Sequence, residues 1–155
     1  MGFFLWLEET WLAEWVRSSI PGYPTMIASH AIGMAVMVGL AVLLAMRVLG
    51  AFRELPLPAL QRYLGLAWAG FGLNFLSGIG LFVAQATMYV TDATFLIKIT
   101  LVFLGAATTG ALQGALAKEG GASNPGPSGG TRAIAAISIV CWISAIITGR
   151  LIAYI

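Results

Sequence analysis

Charge is the scarcest property of this 155-residue chain: eight Lys and Arg and six Asp and Glu make up 9% of it, where soluble domains carry roughly 25%. So few charged side chains cannot clothe a water-facing surface, so lipid is the main solvent of the folded protein. The basic residues stand singly in apolar sequence, which is no footprint for nucleic acid. One cysteine, Cys141, excludes an intrachain disulfide, and one histidine, His30, excludes a multi-histidine metal site within the chain. Neither a Ser-His-Asp set nor a close carboxylate pair argues for hydrolysis. Cys141 is expected to be buried and inert.

What is present is apolar length: 59% of the residues are hydrophobic. The stretch from Tyr23 to Leu49 holds only His30 and Arg47 as ionisable groups and, as a helix, crosses a hydrocarbon core of about 30 Å. Similar stretches follow, and the spans are placed at about 24–49, 63–90, 94–116 and 133–155. Pro56 and Pro58 divide the first connection, a tight turn near Val90 to Ala93 makes the second, and 118–131, rich in Gly, Ser and Pro, reads as a flexible loop. The fold class expected is an all-α integral membrane four-helix bundle, in a single domain.

An amphipathic interfacial helix over 3–19 is expected to precede the bundle. Phe4, Leu7, Trp11 and Trp15 fall on one face, with Glu8, Glu9, Glu14 and Arg17 largely on others. Acidic residues interrupt the apolar ones and no basic segment precedes them, so this is not a signal peptide. Arg47, Arg53, Arg62, Lys118 and Arg132 cluster at or beside the first and third connections, against Arg17, Lys98 and Arg150 on the other side. The positive-inside bias therefore puts those connections in the cytoplasm and both termini outside, which in a bacterial inner membrane is the periplasmic side.

With that topology, His30, Gln85, Lys98 and Arg150, one on each of four helices, lie within about two turns of one another in depth. An uncompensated base in hydrocarbon costs about 2.5 to 3.5 kcal/mol. Lys98 and Arg150 therefore either snorkel to the headgroups or hold the acidic groups of a ligand whose apolar body lies deeper. A neutral imidazole offers one nitrogen to a metal while donating from the other. Gly33, at i+3 from His30, is expected to leave that face flat enough for a porphyrin ring. Met26, Met34 and Met37 lie nearby, with Met34 a candidate sixth ligand or part of a soft copper site. In the second span Gly70, Gly72, Gly78, Gly80, Asn74 and Ser77 suit close helix packing and interhelical hydrogen bonds, or space for a planar ligand.

HAIGMAVMVG in the first span, LPLPALQRYLGLAWAGFGLNFLSGIGLF through the second and ATFLIKITLVFL in the third resemble a family of small bacterial four-span membrane proteins, a similarity running from Trp6 to about Leu116. More distantly, a histidine early in one span and a lysine early in a later one resemble HemJ-type protoporphyrinogen oxidases and copper-resistance D membrane domains. The HemJ-type resemblance implies haem b binding with His30 and Lys98 in the roles of that family's histidine and lysine. That pattern usually places another histidine after the lysine-bearing helix, where this chain has Leu112 and Gln113, so bis-histidine ligation within one chain is excluded.

The reading that results is a haem b binding membrane protein with a redox or haem-handling role, membrane oxidoreductase being one form of it, with His30 as the axial metal ligand and Lys98 and Arg150 on the propionates. Gln85, Gly33 and Met34 complete the expected site. Beyond the lipid bilayer, a homodimer or a larger membrane complex is the expected partner. Two alternatives stay open: a non-catalytic accessory subunit or assembly factor packing through its glycine-rich and aromatic faces, and a copper-handling protein using His30 and the methionines.

Overall fold

A computed structural model describes residues 1–120 and 126–154, and among these every regular element is helical. Two short helices, α1 (Gly2–Glu8) and α2 (Trp11–Ser18), precede the long α3 (Gly22–Leu49). Then come α4 (Leu57–Arg62), α5 (Leu64–Ala84), α6 (Ala86–Thr91), α7 (Ala93–Glu119) and α8 (Gly129–Leu151), closed by a 3₁₀ turn over Ile152–Tyr154. Four segments are long and apolar enough to cross a membrane: Gly22–Leu49, Leu57–Ala84, Ala93–Glu119 and Gly129–Leu151. The protein is an all-α, multi-pass membrane bundle.

Several boundaries depart from those read in the sequence, each for a local reason. The expected 3–19 helix is broken after Glu8, because Thr10 turns extended and its hydroxyl accepts from Ala13 N–H, capping α2. The second span ends at Ala84 rather than near residue 90: Gln85 leaves helical geometry and α6 starts afresh. Asp92 caps α7, accepting from Thr94 N–H at 2.8 Å. That helix continues past residue 116 to Glu119, and α8 begins at Gly129, where Ser128 accepts from Thr131 N–H. Both ends shorten the expected 118–131 loop, of which residues 121–125 lie outside the described set, as does Ile155. At the end of α3, Gly50 sits at φ +106°, the left-handed conformation that glycine adopts without strain.

Glycine decides which helices touch. A Cβ on Gly33 would stand 2.5 Å from Asn74 N and 2.6 Å from Gly70 O, so α3 and α5 meet backbone to backbone. Gly105 of α7 receives the Trp142 indole of α8, whose Nε1–H donates to Thr109 Oγ1 at 3.0 Å. The packing order is α5, α3, α8, α7. Helices α5 and α7 meet through long side chains, with Trp68 Nε1–H donating to Gln113 Oε1 at 3.2 Å and Phe82 beside Phe95 at 5.6 Å between centroids.

The apolar core lies toward the end of the bundle that holds the first and third connections. It is built from Met37, Leu44 and Val48 of α3, Leu64 of α5, Leu112 of α7 and Trp142 of α8, all nearly fully buried. Toward the other end, where α3 and α7 begin and α5 and α8 finish, no comparable cluster occurs among the described residues. There α2 packs on α5 and α3, and α1 packs on α6.

Candidate functional site

At that open end lies a cavity of about 630 Å³, within the range of small-molecule sites. His30, Gln85, Lys98 and Arg150 all line it, so the four helices converge these side chains as the depth argument anticipates. Gly33 and Met34, by contrast, are not part of it. The Gly33 face is filled by the α5 backbone at Asn74 and Gly70, leaving no flat open surface for a ring. Met34 lines a separate pit of about 20 Å³, with His30, Met37 and Trp142. The glycines that do make room are Gly78, where a Cβ would stand 3.1 Å from His30 Cε1, and Gly149, where one would meet the Lys98 stem at 3.4 Å.

His30 is held by α5 through a reciprocal pair of hydrogen bonds. Its Nδ1 lies 2.9 Å from the Asn74 carbonyl oxygen, which can only accept, so Nδ1 carries the proton. Asn74 Nδ2 in turn donates to the His30 carbonyl at 2.8 Å. Ser77 Oγ, donating to Leu73 O at 2.7 Å, lies a further 3.4 Å from Nδ1. With one proton on the neutral ring, Nε2 carries the lone pair, and among the described residues nothing hydrogen-bonds to it. A carbonyl partner on the far nitrogen is the arrangement that fixes ring orientation and raises basicity in histidine metal ligands.

Lys98 sits partly buried, its Nζ 6.0 Å from the Phe95 ring centroid, and no carboxylate among the described residues pairs with it. The acids nearby have other work. Asp92 caps α7. Glu8 Oε1 accepts from both Thr87 N–H at 2.8 Å and Thr87 Oγ1–H at 2.7 Å, and these bonds, the side-chain one foremost, hold its carboxyl below the usual range. Arg17 also lines the cavity, but its guanidinium is donated to the carbonyls of Ala84 and Glu8, covering the end of α5. Lys98 and Arg150 therefore face the space with no counter-ion among the described residues.

Sequence reasoning missed the aromatic wall. Phe82, Tyr89 and Phe95 line the cavity with their planes within 26° of parallel. Burial foremost, then the neighbouring Tyr23 and Asp92, keeps the Tyr89 phenol above its usual pKa, a neutral donor. The signal for this wall was hidden by the break at Gln85, which rotates α6 out of register with α5. Gly78 and Asn74 were visible as small and polar residues, but which helix they faced was not. No group of three or more His, Cys, Asp or Glu that could hold a metal ion occurs among the described residues, and Cys141 is a free, buried thiol. Compared with protein-family models, curated proteins and solved structures, the chain matches none.

Proposed function

We propose that the protein binds haem b in the terminal-end cavity, with His30 Nε2 as the single axial ligand supplied by the chain. The observation that carries this reading is the pairing of His30 Nδ1 with the Asn74 carbonyl, which leaves the other imidazole nitrogen without a partner among the described residues, at a cavity that also displays the cations of Lys98 and Arg150. The residues fit the group in two further respects: Phe82, Tyr89 and Phe95 offer near-parallel rings, and Lys98 and Arg150 suit two carboxylates. Met34 lies in the separate pit, which removes it from the proposal as a sixth ligand.

The chain's own contributions follow from these positions. Asn74 orients the ring, the apolar walls exclude water, and Lys98 and Arg150 set which way an acidic ligand faces. Haem, when bound, supplies one-electron chemistry.

The test is the absorption spectrum of protein purified in mild detergent, oxidised and dithionite-reduced, before and after addition of haemin. A Soret band with sharpened reduced α and β bands is expected, lost in His30→Ala while helix content by circular dichroism is retained. Lys98→Ala and Arg150→Ala should each weaken haem affinity about tenfold, the equivalent of about 1.4 kcal/mol. A preparation that stays colourless after haemin overturns the reading and favours the accessory-subunit alternative, and copper found by metal analysis would favour the copper one.

A further inference from the structure

The same cavity has the chemistry of a lipid site. We infer that, when it holds no haem, it takes one anionic phospholipid, its phosphate between Lys98 and Arg150 and an acyl chain running inward toward His30. The inference does not rest on haem binding, because none of its observations involves the His30 lone pair.

Three observations carry it. First, Lys98 is partly buried with its stem against Gly149, and no carboxylate among the described residues pairs with it: Glu8 is engaged by Thr87, and Asp92 caps α7. A base in that position requires an anion from outside the chain or a path to water. Second, the lining is amphiphilic: Gln85, Lys98 and Arg150 share it with Ile27, Leu81 and Phe82, so the space suits a molecule that carries both an anionic group and a hydrocarbon part. Third, Tyr23 and Ile27 of α3 and Arg150 of α8 line the cavity and are themselves exposed, and both helices belong to membrane-spanning segments, so a lipid of the surrounding bilayer lies within reach of the site. Free phosphate would satisfy Lys98 but leave the apolar walls of the cavity uncovered.

Native mass spectrometry of the full chain in detergent, after incubation with dioleoylphosphatidylglycerol or dioleoylphosphatidylcholine, tests this. The expected result is one phosphatidylglycerol retained per chain, at least about tenfold more readily than phosphatidylcholine, undiminished by millimolar inorganic phosphate. Arg150→Gln, an exposed position whose change leaves the fold intact, should cut retention, as should Lys98→Gln. Gly78→Leu, whose side chain enters beside the His30 ring, should cut it with both charges in place, whereas Glu54→Gln, at the opposite end of the bundle, should leave it unchanged. Equal retention of the two lipids, displacement by inorganic phosphate, or retention unaffected by Arg150→Gln would each overturn the inference. A chain that binds no haem yet retains phosphatidylglycerol defeats only the previous proposal. One that shows a Soret band with haemin but, tested free of haem, has no lipid preference defeats only this one.

Discussion

Glycines of two neighbouring helices have opposite jobs, and the difference is a matter of which atoms a methyl group would meet. On α3, Gly33 lies against the α5 backbone, while on α5 Gly72 has nothing within 4 Å of where a Cβ would stand. Gly33→Ala must therefore push two helices apart, at a cost of about 1 to 3 kcal/mol. Gly72→Ala should be neutral or stabilise by up to about 1 kcal/mol, through the better helix propensity of alanine. Thermal unfolding in detergent, followed by circular dichroism, checks the pair, and equal melting temperatures would contradict the close α3–α5 contact. Both glycines look alike in sequence, and an accessory-subunit reading treats Gly72 and Gly78 as equivalent faces. The structure separates them, since Gly78 faces His30 inside the bundle.

At the scale of elements, the α1–α2 pair is a roof held by a few polar contacts. Glu8 of α1 grips Thr87 of α6, and Arg17 of α2 caps α5 at Ala84. The Glu8 carboxyl is held below the ordinary carboxylate range in the folded state, so its contribution is fully present above that range. It is lost as pH falls through the lowered native value, when the protonated acid no longer accepts both Thr87 bonds. Hydrogen exchange at the α6 amides, Thr87 above all, should accelerate in that acidic window, and Glu8→Gln should remove the pH dependence. An amide protected equally at all pH values would contradict the latch. The helix pattern over 3–19 conveyed amphipathicity but not the break, because Thr10 looks like any polar surface residue until its hydroxyl is seen capping Ala13. Likewise Gln85 reads as a tolerable residue in a long apolar run, and only the packing of α6 on α1 and α7 shows why the chain turns there.

Over the whole molecule, the bundle is closed at one end and open at the other. Large core residues fill the half next to the first and third connections, whereas in the other half aromatic, aliphatic and basic side chains line an open space. The basic residues beside those connections lead to an expected orientation with the closed end in the cytoplasm. Because Cys141 is buried, introduced cysteines report cleanly. In right-side-out membrane vesicles, a membrane-impermeant maleimide should label the exposed Ser18→Cys and spare the exposed Glu54→Cys until the membrane is permeabilised. The reverse pattern would invert the orientation and move the cavity to the cytoplasmic leaflet.

Composition and apolar length by themselves determined that this chain is a four-span helical membrane protein, because a backbone in hydrocarbon must satisfy its hydrogen bonds within the helix and so leaves little choice of structure. The same reasoning brought His30, Gln85, Lys98 and Arg150 to one depth, since rise per residue along a helix is fixed. Rotation about each helix axis is not fixed in that way. It depends on which faces interlock, and only the tertiary structure decided that Gly33 is spent on α5, that Met34 turns into a separate pit, and that Gly78, Gly149 and three aromatic rings shape the cavity.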